Sequence, residues 1–473
     1  MIELTLEQAV EAMGASWADQ KGSHRVDQVP FPAVTIDTRQ AEPGVCFIAV
    51  QGKRHDGHKF IPEALQRGAA IIVSSASVAE RSHWEDRIFL RVPDTTQALQ
   101  ELARYVRKKW SRSIIGVTGS IGKTTTRVFT TELLGRRFRT LQSPANFNNE
   151  IGVPLSLLRL KQEHELAVLE LGMNRPGEIR SLAGICCPDV AVITNVAAVH
   201  LQFFPGLDAI AAEKGEILEA LPHDGILFFN ADDSRVSALA ARYSGRKVSF
   251  ALENRADVRI VNARSEALSK TVFEFETAGR RHATSAPCVG RHFLYDLVAA
   301  IAVASAFDLT PEQVCEGVSR LTPPSMRGKI LQLDRRNGDP LTIWDDSYNS
   351  SPSAVEIVLE AVSHLREFRR KILVLGEMLE LGPESPQLHR RVGRAAAKTR
   401  PDLLIAVGGN GSHIAEGAIR AGLSAHNVVQ FESSEAAARY LGSVVHGGDF
   451  LLIKGSRGVR MDRVVQFLEE EAG

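Results

Sequence analysis

Residues Ser113 to Thr126 read SIIGVTGSIGKTTT, and the interpretation of the whole chain turns on this stretch. The apolar run Ser113 to Val117 predicts a short buried strand, and a glycine-punctuated loop then leads into a helix opening at Thr124. Gly119 and Gly122 have no Cβ to hold a polyanion away from the backbone, so the loop amides can turn inward on phosphate oxygens. The helix N-terminus adds unpaired N–H groups and the positive end of its dipole. Gly119, Ser120, Ile121, Gly122, Lys123, Thr124 and Thr125 are therefore the candidate phosphate cradle. Within it Lys123 supplies a point charge for the outer phosphates, and the Thr124 hydroxyl can ligate Mg²⁺. A strict Walker pattern would place glycine at Val117. Here the extra glycines are Gly116 and Gly119, and the Gly-Lys-Thr core is intact. The plain alternative is a glycine-rich turn without chemistry, but strand, loop, lysine and helix come in the order the mechanism needs.

Outward from this loop the chain alternates apolar strand candidates with helical segments. LAVLELG (166–172), VAVITNV (190–196) and GILFFNADD (225–233) follow it, which predicts a mostly parallel sheet with crossover helices. Residues 247–290 change character, and alternating stretches such as TVFEFE predict antiparallel strands before a helix from Leu294 to Phe307. Upstream, AVTIDTR, GVCFIAV, AAIIVSS and RIFLRV read as strands of a separate unit, joined to the loop by a basic helix, Thr96 to Trp110. Downstream of LTPPSMRG, the segments KILVLGEM, DLLIAVGG, NVVQF and DFLLIKGS predict a third sheet. The expectation is an α/β protein of three domains: residues 1–92, 93–323 and 324–473.

Bulk composition narrows the function. Lys plus Arg equal Asp plus Glu at 56 each, so no global field favours nucleic acid or an anionic membrane. No apolar run is long enough to span a bilayer, and MIELTLEQAVEAM lacks the basic and apolar regions of a secretory signal. Thr5 and Gln8 instead have capping-box spacing. Five cysteines show no zinc spacing, and Cys186 and Cys187 read as buried thiols beside a turn at Pro188. A cytoplasmic, reduced, monomeric protein is expected.

A phosphate loop of this kind needs a second metal contact from a neighbouring strand, and Glu170 ends the run AVLE in the right place. It could equally be a solvated strand end. His200 follows the next strand at the edge where open α/β sheets bind ligands. Lys214, in the helical segment beyond, would be repelled by a metal unless CO₂ converted it to a carbamate, which reverses its charge and offers hard oxygen ligands.

TGSIGKTTT, the strand ending in Glu170, His200 and the EKGE segment around Lys214 together resemble the Mur ligases, ATP-dependent amino-acid ligases of peptidoglycan synthesis. IDTR (36–39), FIAVQGKRHDGHKFI (47–61), NFNNEIGVPLSLL (146–158), MRG (326–328), DDSYNSSPSA (345–354), LGEMLELG (375–382) and LIKGSRGVRM (452–461) extend the resemblance over nearly the whole chain. It implies an N-terminal domain for a UDP-sugar peptide, a central ATPase domain and a mobile C-terminal Rossmann-like domain. The implied cofactors are ATP and Mg²⁺. The implied substrates are UDP-N-acetylmuramoyl-tripeptide and D-alanyl-D-alanine, joined through an acyl phosphate. Thr38 and Arg39 would face the UDP end, and Asn146, Asn148 and Asn149 the sugar-nucleotide side, unless that asparagine-rich turn is a capping device. His292, Asp296, Arg327, Asp346, Tyr348 and Asn349 would reach ATP from elsewhere, and Lys454 and Arg457 the incoming dipeptide or phosphate. His200 and carbamylated Lys214 would hold a second Mg²⁺.

The chain departs from the family at Phe293 and Asp296, where asparagines near the adenine are usual, and at Ile121, where a polar residue is common. An aromatic ring at 293 predicts looser base selectivity through stacking. Two rival readings stay open. One is the preceding ligase, which adds a diamino acid to UDP-muramoyl dipeptide and for which an Asp-Asn-Pro-Arg segment is expected but not found. The other is a nucleotide-binding regulatory relative that has lost synthesis.

Overall fold

The computed structural model describes residues 1–473 except 19–28, 53–54, 77–85, 145, 267, 269, 335–338 and 473. Lys53 and Arg54 of the 47–61 segment thus lie outside the described residues. Among the described residues three sheets carry the fold. The central one has nine strands, with Ile114–Thr118 between Val190–Ile193 and Leu166–Glu170. All its pairings from Thr140–Gln142 across to Val258–Glu266 are parallel. The far edge, Val258–Glu266 with Lys270–Thr277 and Arg280–Ala286, is antiparallel, as the alternation in TVFEFE predicts. Parallel strands buried on both faces read as continuous apolar runs, and Leu166–Glu170 and Val190–Ile193 are buried at every position.

The first sheet has five short strands, ordered Ser16–Trp17, Ile88–Arg91, Ile71–Ser74, Cys46–Ile48 and Val34–Thr35. AVTIDTR yields only two strand residues because local side-chain bonds divert the backbone. The Thr35 hydroxyl accepts from Asp37 N at 3.1 Å, and the Asp37 carboxylate caps the 3₁₀ turn Thr38–Gln40 through Arg39 N at 3.0 Å. The third sheet runs Lys329–Leu333, Leu341–Asp346, Asp449–Lys454, Arg370–Gly376, Leu403–Val407, Val428–Phe431. It is parallel apart from its first pair, and Lys329–Leu333 is an edge strand not anticipated from sequence. Half-exposed edges give weak apolar patterning, and this strand has no fully buried residue.

Helix Thr95–Trp110 joins the first and central units physically. Asp94 caps it by accepting from Thr96 N at 2.7 Å and Gln97 N at 2.9 Å. Its apolar face (Ala98, Leu99, Leu102, Val106) lies in one continuous core with Leu4 and Leu6 of the first unit and Leu157 and Ile179 of the central one. The first helix, Leu6–Met13, has the expected capping box between Thr5 and Gln8, both bonds being 3.2 Å. One expectation fails at the cysteines: Cys186 is buried but Cys187 is exposed. Cys187 ends helix Glu178–Cys186 in a left-handed conformation, φ 42°, which turns its side chain out of the core.

Leu102 is fully buried in the shared core. Leu102→Ala is expected to destabilise the chain by about 2–5 kcal/mol through lost burial and a residual cavity. Urea unfolding followed by fluorescence measures it.

Candidate active site

The loop after strand Ile114–Thr118 sits between the C-terminal ends of two neighbouring strands, and each contributes to its geometry. From one side Thr194 and Asn195 hold it. Ser120 N donates to the Asn195 carbonyl at 2.9 Å, Ile121 N to Asn195 Oδ1 at 3.0 Å, and the Thr194 hydroxyl to the Ile121 carbonyl at 2.7 Å. This corrects the expectation that all the loop amides turn inward, since those of Ser120 and Ile121 are occupied. The available donors belong to the first turn of helix Lys123–Leu134. Its first intrahelical bond is Thr126 N to the Gly122 carbonyl at 2.8 Å, which leaves the amides of Lys123, Thr124 and Thr125 as orphan donors. Two glycines are required here. Gly119 has φ 148° and Gly122 φ 85°, and a Cβ at either would overlap Thr194 Oγ1 or the Asp296 carboxyl respectively.

From the other side Glu170, 2% exposed, accepts from the Thr124 hydroxyl at 2.7 Å and from Asn148 Nδ2 at 2.8 Å. Threonine hydroxyl and glutamate carboxylate are in contact, a pair of hard oxygen donors of the kind Mg²⁺ takes. Among the described residues no group of three or more His, Cys, Asp or Glu is arranged to hold a metal. Lys123 Nζ folds back on the Gly119 and Ser120 carbonyls at 2.9 and 3.2 Å. Burial lowers its pKa, Glu170 opposes the shift and Arg327 adds to it. Buried Arg127, which sequence reading missed, bonds the Ser143 carbonyl and stands in the fields of the same two residues.

These groups open on a cavity of about 460 Å³ that the third unit also walls. Ser120, Ile121, Gly122, Lys123, Thr124, Thr125, Glu170, His200, His292 and Asp296 line it from the central unit, as do Asn146, Asn148 and Asn149. Arg327, Asp346, Tyr348 and Asn349 line it from across the junction. The Arg327 guanidinium stacks 4.2 Å from the Tyr348 ring centroid, with Arg457 at 5.5 Å from the same ring. Asp346 is paired with Lys454 at 2.6 Å, and Lys454, 4% exposed, also bonds the Asn349 carbonyl at 3.0 Å. The asparagine-rich turn divides its work: Asn149 caps the next helix through Ile151 N and Gly152 N at 3.2 and 2.8 Å, while Asn148 braces Glu170.

Four expected residues lie off the cavity lining, the first being Gly119, which is packed against Thr194. Thr38 is buried in the first unit, and exposed Arg39 is forked onto Asp37, with contacts at 2.9, 3.2 and 2.7 Å. Lys214 is 1% exposed in helix Leu207–Gly215, and among the described residues no hydrogen bond engages its amine. It is not a surface lysine paired to Glu213 or Glu216. Glu213 bonds the amides of Gly177 and Ile179, at 2.8 and 3.0 Å, and Glu216 pairs with Arg180 at 2.9 Å. Burial drives the Lys214 amine well below the usual lysine range, and the Lys123 charge adds to this.

The stacking expectation for Phe293 also needs correction. Its ring is 1% exposed, packed on His292 at 4.3 Å, with Phe129 at 6.4 Å and Gly328 against its edge. No broad face is left for a base. His200 meets a partner absent from the sequence reading, Glu380 of the third unit, with Nδ1 to Oε2 at 2.6 Å. That bond holds the Glu380 carboxyl below its usual range. Chain separation hides such pairs, although Glu380 does stand in the quoted LGEMLELG segment.

A phosphate loop in a parallel sheet, closed over by a second α/β unit that supplies further cations, defines an ATP-dependent ligase, and the chain belongs to the Mur ligase family. Residues 31–107 match the Mur ligase family catalytic domain, 117–304 the Mur ligase middle domain and 331–457 the Mur ligase glutamate ligase domain. The chain is 32% identical over 470 residues to UDP-N-acetylmuramoyl-tripeptide–D-alanyl-D-alanine ligase of Bacillus subtilis (strain 168), covering 99% of both chains. Its fold superimposes on MurF from Acinetobacter baumannii with a TM-score of 0.86, at 28% identity and 99% coverage of both. The MurF ligase of Thermotoga maritima, solved in complex with ADP, gives 0.80 at 29% identity, covering 93% of this chain and 98% of that one.

His292 gives this site a pH signature. Its Nδ1 is buried without a partner among the described residues, and burial lowers the ring's pKa from 6.5 to about 4, with Lys454 adding and Asp346 opposing. The unfolded chain takes up that proton as pH falls below 6.5 while the folded chain resists until about 4, so stability is lost across this window. His292→Gln is expected to remove about 3 kcal/mol of that loss. Denaturant titrations of both proteins at pH 7.5 and 4.5 compare the slopes.

Proposed function

We propose that this chain joins D-alanyl-D-alanine to the terminal carboxylate of UDP-N-acetylmuramoyl-tripeptide at the expense of ATP, a step in peptidoglycan precursor synthesis. The observation that carries the reading is the convergence of Lys123, the Thr124–Glu170 pair and the third-unit residues Arg327, Asp346, Tyr348 and Asn349 on one cavity. The amides of Lys123, Thr124 and Thr125 receive the phosphates, and Lys123 leaves its loop carbonyls to follow the charge onto the γ-phosphoryl group. Arg327 neutralises charge from the opposite wall as the substrate carboxylate attacks the γ-phosphorus and ADP leaves, giving an acyl phosphate. The dipeptide amine then attacks that carbonyl and expels phosphate. Positioning and charge neutralisation supply most of the rate, because phosphoryl transfer asks little covalent help of a protein.

Thr124 and Glu170 would hold Mg²⁺, with His200 and a carbamate of Lys214 serving a second ion. Bound there, the metal supplies Lewis-acid stabilisation of the transferring phosphoryl group. A buried amine whose neutral form is favoured is the reactive partner CO₂ requires, which supports carbamylation of Lys214. Thr38 and Arg39 of the first unit would take the UDP end, with Asn146 on the sugar-nucleotide side. Residues 1–92, 93–323 and 324–473 serve as substrate, ATPase and ligation domains.

A substrate panel tests the reaction. Phosphate release is expected with UDP-N-acetylmuramoyl-tripeptide and D-alanyl-D-alanine, and release only with UDP-muramoyl dipeptide and a diamino acid, or with no combination, would overturn it. For Lys214, Lys214→Ala is expected to lose at least about a hundredfold in kcat, of which acetate restores part by occupying the ligand position. Lys214→Arg, unable to form a carbamate, should stay inactive, and full turnover in that variant would sink the proposal.

A further inference from the structure

We infer that Glu380 is a positioning residue for His200, acting across the junction between the third and central units. His200 and Glu380 both line the cavity, and their side chains meet at 2.6 Å. Two further contacts fix the approach. Gln202 N donates to the Glu380 carbonyl at 3.2 Å, and Gly382, φ 63°, lies so close to the Gln202 backbone that a Cβ would come within 3.3 Å of its Cα.

Neither residue sits in relaxed backbone. His200 has φ 55° and Glu380 φ 62°, conformations that L residues rarely adopt and that persist where surroundings impose them. On the Glu380 side those surroundings are rigid. Met378 and Leu381 are buried in the third core, Met378 N donates to His389 Nε2 at 2.9 Å, and Leu379 N donates to Ser456 Oγ at 2.9 Å. The carboxylate is thus presented to the His200 loop from a fixed segment.

The chemistry follows from which nitrogen is engaged. A carboxylate accepts only, so the neutral His200 ring must carry its proton on Nδ1. Nε2 is then the free acceptor, available to a cation or a substrate proton, and among the described residues nothing else bonds it. Because the fixing group comes from the other unit, this tautomer is set when the third unit is docked. The bland alternative is a half-exposed ion pair, with side-chain exposures of 21% and 43%, that merely decorates the junction and contributes little.

The experiment uses the full chain, with ¹⁵N-histidine labelling to read the His200 tautomer in the ligand-free protein and steady-state kinetics to read its consequence. Wild type and Glu380→Gln, whose amide oxygen can accept the same proton, are expected to show Nδ1–H. Glu380→Ala should shift toward Nε2–H and lose about 10–100-fold in kcat, with the KM for ATP changed less than about twofold because the phosphate loop is untouched. Glu380→Gln should recover kcat to within about fivefold of wild type. An unchanged Nδ1–H tautomer in Glu380→Ala, or wild-type kcat in that variant, would overturn the inference. The kinetic arm rests on the proposed ligation but the spectroscopic arm does not. A wild-type chain that fails to ligate would count against the reaction, and the tautomer would still judge Glu380.

Discussion

The constraint on which this site depends is a buried carboxylate, Glu170, set beside cations that burial already disfavours. Glu170 is almost fully buried, and the pKa values of both Lys123 and Arg127 are lowered by burial, sustained by Glu170 and depressed again by Arg327. Lys214 feels Lys123 in turn. These cations raise the cost of charging one another. The chain as a whole has no net charge, so this crowding of cations is local. A polyphosphate relieves it, and a carbamate on Lys214 would relieve it further by turning a potential cation into an anion.

Holding that arrangement open requires a stiff frame, and the frame comes from strand order. Because Ile114–Thr118 lies between Leu166–Glu170 and Val190–Ile193, the loop that leaves it is flanked by Glu170 on one side and by Thr194 and Asn195 on the other. Four hydrogen bonds with Thr194 and Asn195 fix the loop. Preorganised donors need no rearrangement during phosphoryl transfer, which is where such sites gain their rate. The first unit is fused to this frame through the core around helix Thr95–Trp110, whereas the third walls the cavity and adds a smaller apolar contact, with Leu268 and Val289 of the central unit packed into the core around Trp344.

What could be read from sequence was what neighbouring residues decide. Strand, glycine loop, lysine and helix occupy a dozen consecutive positions, and the buried strands of all three sheets are uninterrupted apolar runs. Glu170 was legible because a strand end has a direction. Asn195 and Glu380 were not, since each acts on a residue 74 or 180 positions away and nothing local marks it. The Asn146–Asn149 turn resisted division because capping and bracing use the same amide chemistry. Phe293 misled for a different reason. Helix Arg291–Ala306 is apolar nearly all round, so periodicity could not separate a ring turned to the core from one turned to the cavity. Cys187 was missed by one residue of helix, the distance between a last turn and its left-handed cap.

Asp296 is where the departure from the family becomes intelligible. A carboxylate beneath the first turn of helix Lys123–Leu134 would compete with phosphate for the same dipole and the same orphan amides. Burial instead raises the Asp296 pKa well above the ordinary carboxyl range, outweighing the Thr126 hydroxyl bond and the distant pull of Arg327, and so favours the neutral acid. A neutral carboxylic acid carries one donor and a carbonyl acceptor on a side chain of asparagine's shape. It stands against Gly122 without adding negative charge beside the phosphate loop. Phe293 packs nearby against Phe129. A carboxyl group thus stands beside the phosphate loop in the form that least disturbs an incoming anion.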